Sequence, residues 1–203
     1  MSLYIKACGF KNYDTIKCAI DEGASAIGFV LTDSSRKVTL KVAERLAEKI
    51  NSFVETFAVV KNPSRSLLVA LSKTDCFTAI QHYEPLPDFF KEKAIEKIRA
   101  YKFSDYSMDK LTLPATSRFL IDSPCKPGSG IQWDYSQINK LQNLDNIILA
   151  GGISIRNIKE ILTNIKAKNI DISSGLEIEK GIKSIKKIQA FFRECKKIME
   201  SEL

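Results

Sequence analysis

The chain is poor in the side chains that most often run metal, redox or imidazole chemistry. Its 203 residues include a single histidine, His82, and five cysteines: Cys8, Cys18, Cys76, Cys125 and Cys195. The cysteines are odd in number, widely spaced and without a C-x-x-C pair, which argues against both a disulfide framework and a thiolate or imidazole metal site. Acid–base work is therefore left to carboxylates, lysines or a thiol. No apolar run approaches the ~18–20 residues a membrane span requires. Met1 leads directly into a strand, without a basic region followed by an apolar block, so no signal peptide is expected and the chain reads as cytoplasmic. A G-x-G-x-x-G turn is also missing after the first strand, where Cys8-Gly9-Phe10-Lys11-Asn12 stands instead.

What is present is enough for a sizeable core: 44% of residues are hydrophobic and 27% charged, the balance of an ordinary globular domain. The length fits one domain, taken as residues 1–203. The net charge of +7 is concentrated toward the C-terminus, but there Lys180, Lys183, Lys186, Lys187, Arg193, Lys196 and Lys197 are diluted by Glu179, Glu194 and Glu200. Mixed charge of this kind is the wet side of an amphipathic helix. With no recognition motif beside it, neither nucleic acid nor a membrane is expected as a partner.

Apolar runs and helical stripes alternate along the chain. Strands are predicted at Tyr4 to Ala7 with Cys8 at the end, Ala26 to Leu31, Val54 to Val60, Phe77 to Gln81, Lys97 to Phe103, Arg118 to Asp122, Ile147 to Ala150 and Ile170 to Ser173. Helices are expected after Asn12, after Thr39, from Asn62-Pro63-Ser64, from Pro85 to about Lys93, from near Asp134 with Ile138 and Leu141, along Ile158, Ile161, Leu162 and Ile165, and at the end. The last helix is expected to turn Ile182, Ile185, Ile188, Phe192, Cys195 and Met199 inward. Between Ser104 and Ser117 only a turn at Met108 to Leu111 is visible, so the fifth helix reads as short or missing. No two strands are joined tightly enough for a hairpin. Eight such units predict an α/β chain closed into a compact (β/α)₈ TIM-type barrel; an open doubly wound sheet is the alternative, and lacks its glycine fingerprint.

In such a barrel the chemistry sits at the C-terminal ends of the strands. Those ends carry Cys8 after strand one, Arg36 after strand two and Asp122 on strand six. Gly151-Gly152 follow strand seven, and Ser173-Ser174-Gly175 follow strand eight. Small residues in the last two loops suit a phosphate held by backbone amides, which points to a phosphorylated small molecule. Alternation puts Lys6 and Cys8 on one strand face. A cysteine in a strand is also readily just a small buried hydrophobe, and Lys6 a partly solvated strand residue. The alternative with consequences is an ion pair between Lys6 and Asp171 of the neighbouring strand eight, beneath the thiol. The run from Ser123 to Gly130 has the composition of a lid.

The ordered set Lys6-Ala7-Cys8-Gly9, Ala26-Ile27-Gly28-Phe29-Val30, Ser34-Ser35-Arg36-Lys37-Val38, Leu120-Ile121-Asp122, Gly128-Ser129-Gly130 with Trp133-Asp134, Leu149-Ala150-Gly151-Gly152-Ile153 and Asp171-Ile172-Ser173-Ser174-Gly175-Leu176-Glu177 resembles the phosphoribosylanthranilate isomerases. The resemblance implies an Amadori rearrangement in tryptophan biosynthesis, without metal or cofactor, by a monomer or homodimer. It implies Asp122 as general acid, Cys8 as general base, Arg36 and Gly130 on the substrate, and Gly151, Gly152, Ser173, Ser174 and Gly175 around the phosphate. The general acid must hold a proton near neutrality, so the pKa of Asp122 is expected to be raised by burial. Two departures stand out. The family usually has Gln-Leu-His-Gly after strand four, whereas this chain reads Ala79-Ile80-Gln81-His82, so His82 is assigned no role and is expected at the surface. Ile131 stands where the family often has lysine. Competing assignments are other phosphate-binding barrels that use glutamates or lysines, and a binding protein that has lost turnover.

Overall fold

The computed structural model describes residues 3–103, 117–123, 135, 138, 144–165 and 167–201. Eight parallel strands close into a barrel in sequence order: β1 (Tyr4–Cys8), β2 (Ala26–Val30), β3 (Glu55–Val60), β4 (Ala79–His82), β5 (Glu96–Lys102), β6 (Phe119–Asp122), β7 (Ile147–Leu149) and β8 (Asn169–Ile172). Closure is the β1–β8 pairing, with Lys6 opposite Asp171 and Ala7 opposite Ile172. The surrounding helices are α1 (Tyr13–Asp21), α2 (Leu40–Ala47), α3 (Arg65–Ser72), α4 (Asp88–Lys91), α5 (Ile158–Thr163) and α6 (Ile185–Ser201).

The first three helices begin where local chemistry dictates. Asn12, Thr39 and Ser64 each accept a hydrogen bond from a backbone N–H three residues on, which satisfies a donor the helix leaves free. Pro63 therefore precedes the cap of α3, where its missing N–H costs nothing. The expected fifth helix, the turn at Met108 to Leu111, the lid with Gly128 to Gly130, and the helix start near Asp134 fall outside the described residues.

The end of the chain differs from expectation. Glu177–Glu179 (β9) and Ile182–Lys183 (β10) form an antiparallel hairpin before α6. Ile182 thus leaves the helix and is 49% exposed, and Ile185, at the start of α6, is 45% exposed. The apolar stripe of α6 is instead Ile188, Phe191, Phe192, Cys195 and Ile198, all buried. Gly181, at φ +85°, makes the tight reversal that helical periodicity alone did not register.

Two apolar layers result. One lies between strands and helices and includes Phe10, Ile16, Phe29, Phe90, Phe119 and Phe191. The other fills the barrel, with Phe57, Ile98, Leu120 and Ile148 packed among Ala26, Ala79, Ala100 and Ala150. The lower end is closed by charge. Arg118 spans Glu55 and Glu96, donating to Glu96 Oε1 at 2.9 Å and to Glu55 Oε1 at 2.9 Å, while its guanidinium lies over the ring of Tyr4, whose hydroxyl donates to Glu55. This network sits at the N-terminal ends of the strands, where a barrel spends its polar contacts on stability. Arg118→Ala is expected to cost about 1–2 kcal/mol in urea unfolding, because the pairs are partly exposed.

Candidate active site

The upper mouth holds a cavity of about 310 Å³ lined by Cys8, Arg36, Asp122, Gly151, Gly152, Asp171, Ser173 and Ser174. Seven of the eight described candidates for catalysis, substrate or phosphate thus share one hollow with Asp171; the eighth, Gly175, lines an adjoining cavity with Gly152, Ser154, Arg156, Ser174 and Lys187. Gly130 lies outside the described residues.

Lys6 has no exposed surface, so it is not a solvated strand residue. Its ammonium lies 2.9 Å from Asp171 Oδ1 and 5.1 Å from the centroid of the Phe57 ring. Burial alone would lower its pKa, but the Asp171 carboxylate and the Cys8 sulfur outweigh burial and hold its pKa above the ordinary value. The ion pair is therefore a fixed floor beneath the thiol.

Cys8 is 6% exposed and is packed against Gly28. A Cβ at residue 28 would stand 2.7 Å from Cys8 Sγ, so the glycine makes the space the sulfur occupies. Burial raises the thiol pKa above its ordinary value, and Lys6, Lys183 and Arg36 only partly oppose this. At rest Cys8 is thus a thiol. Burial likewise pushes Asp122 up to about 6, with the Asp171 charge adding to the effect. Its Oδ1 accepts the Ser123 N–H at 2.9 Å. This carboxyl is correspondingly a moderate acid that still carries some proton at neutral pH.

Arg36 is held by Glu177, which belongs to a quoted motif but carries no task that sequence alone assigns. The arginine Nε and Nη2 donate to Glu177 at 2.6 and 2.8 Å, and Lys183 donates to the same carboxylate at 2.9 Å. Glu177 is buried, which would raise its pKa, yet Arg36 and Lys183 bring it down to about 2. The hairpin of β9 and β10 exists around this pair of contacts, since both Glu177 and Lys183 lie on it. Ser173 is also engaged: its hydroxyl donates to the Cys8 carbonyl at 3.0 Å, and its own carbonyl accepts from Lys183 at 2.8 Å. Gly151 sits at φ +92°, and a Cβ there would overlap Ser123, so the loop after β7 can run against the loop after β6 only through a glycine.

The surface position expected for His82 is overturned. Alternation along β4 turns Gln81 to the cavity and His82 to the helical side, where it is 8% exposed and 2.8 Å from the Glu84 carbonyl through Nδ1. Burial lowers its pKa. Gln81, Tyr83, Lys61 and Lys180 also line the cavity, and of these only Gln81 stands in a quoted motif comparison, the Gln-Leu-His-Gly pattern. Counting from Gln81 in the pattern Gln-Leu-His-Gly, Tyr83 stands in the histidine's place. Among the described residues no group of three His, Cys, Asp or Glu side chains is arranged to hold a metal ion, and no helix is long and apolar enough to cross a membrane.

The tight slot and the buried carboxyl can both be tested. Gly28→Ala pushes the sulfur out of its slot and is expected to lower kcat at least tenfold while the protein stays folded, as checked by steady-state kinetics and circular dichroism. Asp122 has a folded pKa of about 6 against an ordinary 3.8, so its ionised form opposes folding above that range. Asp122→Asn should accordingly raise the melting temperature at pH 8, and the gain should fade as pH drops through 6 toward 4, measured by calorimetry across that range.

Residues 5–194 match the N-(5'-phosphoribosyl)anthranilate (PRA) isomerase family. The N-(5'-phosphoribosyl)anthranilate isomerase of Bacillus cereus is 31% identical over 203 aligned positions, covering 95% of this chain and 99% of the relative. The crystal structure of the Thermus thermophilus phosphoribosyl anthranilate isomerase superposes with a TM-score of 0.83 at 25% identity, covering 97% of this chain and all of that one. An isomerase crystallised with reduced 1-(o-carboxyphenylamino)-1-deoxyribulose 5-phosphate shares the fold, with a TM-score of 0.77 at 22% identity over 96% of this chain and 99% of the other. With a closed eight-stranded barrel and a cavity that gathers a thiol, a carboxyl group and an arginine, the chain belongs to the N-(5'-phosphoribosyl)anthranilate isomerase family.

Proposed function

We propose that this chain isomerises N-(5'-phosphoribosyl)anthranilate to 1-(2-carboxyphenylamino)-1-deoxyribulose 5-phosphate in tryptophan biosynthesis, with Asp122 as acid and Cys8 as base. The observation that carries the reading is the shared cavity, where both groups face the same space beneath Gly151, Gly152, Ser173 and Ser174. Asp122 gives its proton to the ribose ring oxygen. The C1'–O bond breaks and the anthranilate nitrogen lone pair forms the C1'=N bond of a Schiff base. Cys8, as thiolate, takes the C2' proton, the electrons of that C–H bond become the C1'=C2' bond of an enolamine, and the C1'=N π pair returns to the anthranilate nitrogen. Tautomerisation, with proton return to C1', gives the ketone.

Each supporting group has a task in this scheme. Arg36, oriented by Glu177, faces the anthranilate carboxylate, and a bidentate guanidinium suits that anion. The small residues after β7 and β8, including Gly175, cradle the phosphate. Lys6, held by Asp171, stabilises the thiolate when it forms. No cofactor is required, since every proton donor and acceptor is a side chain. The same reading has one barrel domain over residues 1–203 working in the cytoplasm as a monomer or homodimer.

The pKa values set an unusual pH dependence. The active form needs Asp122 protonated although its pKa is about 6, and Cys8 ionised although its pKa lies above 9.0. Such molecules are a minority of the resting population, because the proton prefers the thiol to the carboxyl group. kcat/KM should therefore rise from acid to a limb near 6, stay level through neutrality, and fall only above 9. The test is loss of substrate fluorescence with freshly made phosphoribosylanthranilate across that range. Cys8→Ser and Asp122→Asn should each lose at least about a hundredfold in kcat. Wild-type protein that binds the substrate without converting it would leave a binding protein and end the isomerase reading.

A further inference from the structure

Tyr83 follows β4 directly and lines the cavity, and nothing in the isomerase scheme gives it a task. Its hydroxyl lies 3.5 Å from Asp122 Oδ2, with the geometry of a donor to that oxygen. Gln81, two residues back on the same inward face and 2% exposed, donates its amide to the Tyr83 oxygen at 3.4 Å. Filling that lone pair leaves the phenol proton to point toward Asp122. The other carboxyl oxygen, Oδ1, is already served by the Ser123 N–H at 2.9 Å.

The groups around the pair come from every side of the mouth. Asp171 on β8 and Lys102 on β5 act on the Asp122 carboxyl; Asp171 and Cys8 on β1 act on the Tyr83 phenol; and Lys61, just after β3, places its ammonium 5.5 Å from the Tyr83 ring centroid. Burial, together with the carboxylates, holds the phenol pKa well above its ordinary value, so Tyr83 keeps its proton and faces Asp122 as a donor. It is unsuited to act as a base, and well suited to steady a neighbouring anion.

We propose that Tyr83 is a positioning residue for the general acid: its hydroxyl, aimed by Gln81, donates to Oδ2 of Asp122 and stabilises the carboxylate left behind when the proton passes to the sugar. The bond is weaker to the protonated acid and strengthens as the carboxylate charge develops, because hydrogen bonds to an ionised acceptor are shorter and stronger. No covalent step is added; Tyr83 retains its proton throughout. The role rests on the isomerase reading.

The experiment compares wild type with Tyr83→Phe, which keeps the ring under Lys61 and removes only the donor. Two readouts are taken: the pH profile of kcat/KM, and the titration of Asp122 followed by carboxyl carbon NMR in the resting protein. Loss of the donor makes the carboxylate less stable, so both the acid limb and the carboxyl titration should move up by about half to one pH unit. The ratio of activity at pH 5 to that at pH 8 should then fall roughly three- to tenfold, with KM little changed. A merely structural loss would scale activity at all pH values alike and leave the limb where it was. An active Tyr83→Phe enzyme with unmoved limb and titration overturns the role of Tyr83 alone. Absence of turnover in wild type overturns the isomerase reading and the catalytic role with it. Should Tyr83→Phe fail to fold, Gln81→Met, which frees the hydroxyl to turn away, decides by the same limb and titration: an upward shift supports the proposal and no shift overturns it.

Discussion

The ion pair of Lys6 and Asp171 is the contact on which both the fold and the chemistry of this barrel depend. A lone ammonium inside an apolar barrel would lose its proton or unfold the chain, since removing one partner of a buried pair costs about 3–5 kcal/mol. Lys6 keeps its charge only because β8 returns to lie beside β1 and brings Asp171 to 2.9 Å. Closing the barrel and placing a permanent positive charge under Cys8 are therefore one event. The same pair also works on the carboxyl group across the cavity, because the Asp171 charge adds to burial in raising the pKa of Asp122.

Above this floor, charge is handled by pairing and by backbone space. Glu177 takes two hydrogen bonds from Arg36 and one from Lys183, so three buried ions form a compact set with Arg36 oriented toward the cavity. A free arginine at that position would keep the rotamer freedom that Glu177 removes. Glycine supplies the remaining room: Gly28 makes a slot for the sulfur, and Gly151 lets the loops after β6 and β7 touch. The charged plug of Tyr4, Glu55, Glu96 and Arg118 at the other end shows the division of labour in a barrel, with stability at the bottom and chemistry at the top.

The legibility of these features varied with their range along the chain. Cys8 and Asp122 were visible as candidates because each closes a largely apolar strand, and strand ends are where a parallel barrel opens to its ligand. The hairpin before α6 was hidden because Ile182, Ile185 and Ile188 are spaced as a helix is, and periodicity cannot see that Gly181 reverses the chain before them. His82 read as a surface residue because one polar side chain at a strand end says nothing of which face it takes. Only the register of β4 against β3 and β5 settles that Gln81 turns in and His82 turns out.

Local chemistry was enough to set the eight barrel strands, the helix starts at Asn12, Thr39 and Ser64, the strand ends that carry Cys8 and Asp122, and the small residues of the last two loops. Hydrophobic period, capping and glycine placement all act within a few residues of one another, so they can be read along the chain. The partnerships came only with closure of the barrel. Glu177 orients Arg36 across 141 positions, Tyr83 meets Asp122 across 39, and Gly28 yields its side-chain space to a sulfur on another strand. Such contacts have no signature in the chain, because ion pairs and close approaches depend on distance in space, and that distance exists only once β8 lies against β1.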